Sequence, residues 1–186
     1  RDAGQMLRDF KPHLTVVALE SHKAPAAIRA ALEASSHVLA EKPACTNADD
    51  FRRLAAEAEA RKRHLMLAFA TRMNPIRIRA RQLVADGSIG RVLGVQARYI
   101  ADQRRLTREE YQRSWFADRD KSGGGHLAWL GIHYIDLIQQ LTGQRITEVT
   151  AQVANAGGQP LKIEDSAAVT MRLESGVLGS LHSAYY

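Results

Sequence analysis

Residues 14–19, LTVVAL, form a continuous apolar run of strand length, and two shorter runs of the same kind follow at 37–40 (HVLA) and 64–69 (HLMLAF). A run with no polar alternation predicts a strand buried on both faces. Between the runs, residues 24–34 are alanine-rich and helical in pattern, and Asn47 with Asp50 three positions on predicts a capped helix to about residue 62. Residues 2–10 also read as helix. Strand, helix, strand, helix, strand is the rhythm of a parallel sheet with helical crossovers.

The rhythm changes after Phe69. Asn74 and Pro75 read as N-cap and first helical residue, and Gly87 closes the periodicity, so a helix is predicted over 75–86. Val95, Ala97 and Tyr99 then alternate with polar residues, as do Val149, Ala151 and Val153, and again Ala167, Val169, Met171 and Leu173. Such alternation predicts half-solvated strands, taken as antiparallel, with Ser175-Gly176 as a two-residue turn into a last strand over 177–186. The expectation is therefore an α/β fold class: residues 1–70 as the C-terminal half of a parallel-sheet domain, then residues 71–186 as an α+β domain with a mainly antiparallel, open sheet. Arg1 falls inside a helical pattern and the last strand runs straight into Tyr186, so the chain is expected to be part of a longer one.

Charge and cysteine narrow the classes of partner. The 26 basic and 20 acidic residues give a formal net charge of +6. The basic residues are scattered, without a zinc-finger frame or the aromatic pattern of an RNA-binding sheet, so no nucleic-acid partner is expected. No apolar stretch approaches the roughly 20 residues that span a bilayer, so no membrane partner is expected either. Cys45, the single cysteine, has no partner for a disulfide or a metal, which suggests a reducing, cytoplasmic setting.

Two places carry candidate chemistry. Glu41-Lys42-Pro43 follows the second apolar run, where ligands of open α/β sheets bind beyond the strand ends. Pro43 biases Lys42 toward an extended backbone and so aims it; the alternative is a surface lysine beside a turn proline. The other place is residues 123–143, GGGHLAWLGIHYIDLIQQLTG. Plotted at about 100° per residue, His126, Trp129, His133, Asp136 and Gln140 fall on one line beside an apolar stripe, an arrangement suited to a cleft wall. Asp136, three residues beyond His133, is placed to orient it as a general base, or else the two form an ordinary surface pair. No metal site is expected, because His126 and His133 lack a ligand spacing.

These segments resemble the Gfo/Idh/MocA oxidoreductase family. HVLAEKPACT is similar to its strand-plus-EKP signature, ATRMNPIRIRARQLVADGSIGRV to its R-x-x-P helix and following G-x-I-G, GGGHLAWLGIHYIDL to its GGG…GxHxxD motif, and EDSAAVTMRLESGVLGSLHSAYY to its C-terminal hairpin. The resemblance implies a Rossmann-type domain binding NAD or NADP, followed by a substrate domain whose open sheet often forms a homo-oligomer face. Sugars, inositols and related polyols are the implied substrates. Lys42 and His133 are the implied catalytic residues, with Glu41, Pro43, Arg72, Asn74 and His22 near the cofactor and Trp129, Asp136 and His126 near the substrate. Trp129 stands where many members carry an aspartate, and an indole there is a candidate stacking platform for a sugar face. The glycine-rich turn and the acidic residue that choose NAD over NADP would lie upstream of Arg1. Hydride transfer to a secondary alcohol is the leading expectation; glycoside cleavage through transient oxidation and a catalytically inert scaffold are the alternatives.

Overall fold

The computed structural model describes residues 2–186, which form two compact units: one reaching Ala68 and including Arg119–Gly123, the other comprising Phe69–Asp118 and Gly124–Tyr186. The division falls at 68/69, and residues 119–123 return to the first unit, where Lys121 lies within electrostatic reach of Glu20.

In the first unit, β1 (Leu14–Val17), β2 (His37–Ala40) and β3 (Leu65–Leu67) pair in parallel in that order. Helix α1 (Ala3–Phe10) precedes them, and α2 (Ala24–Glu33) and α3 (Ala48–Ala60) make the crossovers. Asn47 caps α3 as its sequence predicts, Oδ1 accepting the Asp50 N–H at 2.9 Å while its amide donates to the Asp50 carboxylate. Ala24, Ile28, Ala31 and Leu32 share one face of α2, and with Leu54, Ala58, Leu7, Val17, Val38 and Ala40 they form the core. Each fully buried Leu or Ile there contributes about 1.5–3 kcal/mol.

The strands are not buried on both faces. Leu14, Val16 and Met66 are 56%, 64% and 59% exposed, while Val17 is buried. The apolar run is continuous, but the side chains still alternate, and the helices of this unit join one core cluster on one side of the sheet.

The second unit is built on a four-stranded sheet in the order β4-β7-β6-β5: β4 (Gly94–Ala101), β5 (Ile146–Ala154), β6 (Ser166–Leu173) and β7 (Leu178–Tyr185). The β5/β6 and β6/β7 pairs are antiparallel, but β4 runs parallel to β7, against expectation. Alternating burial reports a half-covered strand and is blind to its direction. Four residues, Glu174 to Val177, join β6 to β7: the Leu173 C=O accepts the Gly176 N–H, and the Leu173 N–H donates to the Val177 carbonyl. Helix α4 (Pro75–Ala85) starts at the predicted Asn74-Pro75 pair, and two short helices, α5 (Glu109–Gln112) and, in the first unit, α6 (Arg119–Ser122), precede α7 (Ile132–Thr142). Leu127, Tyr134, Ile135 and Ile138 pack against Val169, Met171, Leu173 and Leu181 and cover one face of the sheet.

Candidate active site

The carboxyl edge of the parallel sheet gathers one set of candidates. Val17 and Ala40 stand opposite each other in register, so the loops after β1 and β2 leave at the same level. Buried Ser21 ties them together, its Oγ donating to the Pro43 carbonyl at 2.9 Å, and the Lys42–Pro43 peptide is cis. Lys42 is half-buried on this edge; Glu41 is exposed, its carboxylate accepting the Lys42 N–H at 3.2 Å. His22 is exposed on the neighbouring loop, with Nε2 3.4 Å from Glu20, and Lys23 Nζ is 2.7 Å from the same carboxylate. Hydrogen-bonding to Lys23 holds the Glu20 carboxyl below its usual range. An ammonium and an imidazole at a parallel-sheet carboxyl edge fit the ribose and phosphate oxygens of a dinucleotide. Cys45, nearby in sequence, is partly buried, and burial pushes its thiol up to about 11. It is therefore no thiolate nucleophile at neutral pH.

The second set is built on one helix. Gly125 N–H and Leu127 N–H donate to the two oxygens of the Glu164 carboxylate at 2.7 and 3.1 Å, and His126 N–H donates to the Glu164 carbonyl at 3.1 Å. A Cβ on Gly125 would overlap that carbonyl, which explains the glycine. The glycine run thus ends in a helix start capped from 39 residues away.

The next turn, Leu127–Gly131, is a π-helix: Ile132 N–H reaches back five residues to the Leu127 carbonyl. A turn of this kind alters the helical phase just before His133, and such turns concentrate at functional sites. The five polar side chains predicted on one line are consequently divided among different neighbours.

His126 does not line a cleft. It is fully buried against the sheet, with Nδ1 2.6 Å from Ser183 Oγ and its ring edge-on to Tyr185 at 4.5 Å. Burial lowers its imidazole to about 4, so it is neutral near pH 7. Gly131 permits this close seating, since a Cβ there would lie 2.5 Å from Ser183 Oγ. Asp136 is 5% exposed and gripped by Arg72, with Nε to Oδ2 at 2.9 Å and Nη2 to Oδ1 at 2.5 Å. The bond to Asp136 raises the Arg72 guanidinium further above its ordinary value. Gln140 adds a bond from Nε2 to the Arg72 carbonyl at 3.1 Å.

Arg72 and Asn74 both make side-chain bonds within this unit. Asn74 Oδ1 accepts the Ile76 N–H at 2.9 Å and caps α4. His133 is half-buried and meets the Phe69 ring edge-on at 5.9 Å. Trp129, also half-buried, meets Trp115 at 4.9 Å and Phe116 at 4.5 Å, both edge-to-face. Sequence periodicity could find neither Trp115 and Phe116, which lie in an irregular segment, nor Glu164, whose carboxylate acts across the fold. Among the described residues no group of three or more His, Cys, Asp or Glu could hold a metal ion, and no helix is long and apolar enough to cross a membrane.

Residues 1–69 match the oxidoreductase family, NAD-binding Rossmann fold, and residues 78–186 match the GFO/IDH/MocA C-terminal domain. The fold is similar to the crystal structure of an oxidoreductase domain protein from Kribbella flavida, with a TM-score of 0.89 and 32% identity over 99% of this chain and 51% of that one. Levoglucosan dehydrogenase of Pseudarthrobacter phenanthrenivorans is 24% identical over 98% of this chain and 52% of its own length. The trans-1,2-dihydrobenzene-1,2-diol dehydrogenase of Bos taurus is 27% identical over 95% and 50%. The chain thus spans about half the length of these relatives.

Proposed function

Because the chain belongs to the GFO/IDH/MocA oxidoreductase family, we propose that the whole protein transfers a hydride between a nicotinamide dinucleotide, NAD or NADP, and a secondary alcohol of a sugar-like or polyol substrate. The observation that carries this reading is His133, half-buried on the helix directly after a π turn, with Asp136 on the same helix paired to Arg72. An imidazole exchanges protons readily near neutral pH, as oxidation of an alcohol requires. The names of the levoglucosan and dihydrobenzenediol dehydrogenases support a ring-borne hydroxyl as the reacting group.

When bound, the nicotinamide supplies two-electron hydride exchange with carbon. This chain supplies the rest. His133 takes the hydroxyl proton, and the Lys42 ammonium serves to stabilise negative charge that grows during the reaction. Glu41, Pro43 and His22 shape the carboxyl edge on the cofactor side, and Arg72 fixes Asp136, so that the helix presents His133 and Trp129 in one register. The uncovered face of the four-stranded sheet is proposed as a homo-oligomer contact.

The test is the full-length protein with Lys42→Ala and His133→Ala, followed by nicotinamide absorbance over a panel of cyclic alcohols. Each change should lower kcat by about 10²–10⁴-fold with the circular dichroism preserved. Unchanged turnover would remove both roles.

A further inference from the structure

The second unit begins at Phe69, and the residues that follow, Ala70–Met73, make a single 3₁₀ turn. The Phe69 carbonyl accepts the Arg72 N–H at 2.9 Å, and side chains three apart in such a turn lie one above the other. Arg72 therefore folds back over Phe69, its guanidinium 5.8 Å from the ring centre, within reach of a cation–π contact.

The turn is fastened to α7 at three successive levels. The Phe69 ring meets the His133 imidazole at 5.9 Å with the planes 86° apart, the Arg72 guanidinium holds Asp136 one helical turn on, and the Arg72 carbonyl accepts from Gln140 Nε2 a further turn on. The buried Asp136 carboxylate fixes where the guanidinium stands, and the guanidinium stands over Phe69. The ring that meets His133 is thus anchored through two other side chains of the same unit. An imidazole turns about its last side-chain bond in a broad, two-fold well, so a neighbour is needed to select which nitrogen faces a given direction. Edge-to-face contact depends on ring orientation and supplies such a selection.

We infer that Phe69 is a positioning residue for His133: its ring, steadied by the Arg72–Asp136 pair, selects the imidazole orientation that the general base uses. The inference rests on the oxidoreductase reading above, and Phe69 itself makes or breaks no bond. An edge-to-face pair favours one orientation by about three- to ten-fold, so its loss should reach kcat by that factor. Substrate binding does not depend on this choice of nitrogen, so KM should hold.

Phe69 is half-buried and belongs to none of the core clusters of either unit, so the full-length protein should fold with Phe69→Leu, which keeps apolar volume without a ring. Nicotinamide absorbance over cyclic alcohols should show kcat lowered about three- to ten-fold and KM within about two-fold of the wild type, with circular dichroism unchanged. Phe69→Tyr keeps the ring and should keep kcat within about two-fold. In a His133→Ala background, Phe69→Leu should have no further effect on the residual rate. The positioning role is overturned if Phe69→Leu turns over as fast as the wild type, if its loss falls on KM, if Phe69→Tyr loses as much, or if the loss persists in full without His133. A wild type inert toward every alcohol would defeat the oxidoreductase reading itself, whereas an active wild type unmoved by Phe69→Leu defeats the positioning alone.

Discussion

Two buried polar residues show how single side chains set the behaviour of the substrate unit. Asp136 is 6% exposed in its side chain and Arg72 48%, so the two halves of this ion pair are not equivalent. Arg72→Ala leaves a carboxylate buried without its cation and should cost about 2–4 kcal/mol, below the upper range for buried pairs because one partner reaches solvent. Asp136→Asn keeps a hydrogen-bond acceptor for a guanidinium that water also reaches, and should cost about 1 kcal/mol. Urea midpoints of the two variants measure the asymmetry, and equal losses would contradict it. His126 gives a pH signature. Its imidazole falls from 6.5 to about 4 on folding through burial, so between those values the unfolded chain binds a proton that the folded one does not. Stability contributed by the neutral ring is complete above pH 6.5 and is lost on acidification toward pH 4, by up to about 3 kcal/mol. His126→Phe should flatten the difference between urea midpoints at pH 7 and pH 5; an unchanged slope would place the acid sensitivity elsewhere.

Among the elements, the helix bearing His133 depends on a residue remote from it. Glu164 satisfies the N–H groups of Gly125 and Leu127 with its side chain and that of His126 with its carbonyl. Glu164→Ala should cost about 1–2 kcal/mol, as loss of a helix cap does, with faster amide exchange confined to residues 125–127. Glu164→Gln keeps one acceptor oxygen and should lose about half as much. Uniformly faster exchange across the unit would show that Glu164 holds more than this helix start. Helix boundaries were legible where a cap or a breaker marks them: Asn47 and Asn74 cap where they stand, and Gly143 ends α7. What could not be read was set at long range. The π turn shifts the phase of Trp129 and His133 relative to an even 100° plot, the Arg72–Asp136 pair joins residues 64 apart, and the direction of β4 depends on a connection that runs through α5 to β6 before reaching β7. The parallel-sheet half was the easier to read because its crossovers are short and its runs apolar, although the open face of β1 was not evident from a run that never turns polar.

At the scale of the whole molecule, charge and sheet topology bear on association. Many arginines sit in exposed pairs, among them Arg29–Glu57, Arg104–Asp102, Arg145–Glu174 and Arg172–Glu148, each worth well under 1 kcal/mol but together dispersing the +6 charge. The uncovered sheet face offers a broad contact. Gln96, Thr150, Thr170 and Ser180 share that face and line a shallow hollow of about 520 Å³. Four strands of eight or nine residues span roughly 19 by 26 Å, a projected area on the order of 500 Å². Side-chain relief raises the accessible area above this, toward the ~800 Å² per partner of a stable interface. Short polar side chains at Thr150, Thr170 and Ser180, with Arg98, Arg172 and Glu148 farther along the strands, allow two copies to meet over the middle of the sheet, and around a two-fold axis each residue near the centre meets its own copy. Thr170→Lys should therefore bring two ammonium groups together and convert the oligomer to monomers in light scattering, with its circular dichroism unchanged. Thr170→Ser, nearly isosteric, should leave the mass as it was. A wild type that scatters as a monomer, or a Thr170→Lys protein that keeps its mass, would move the contact off this sheet.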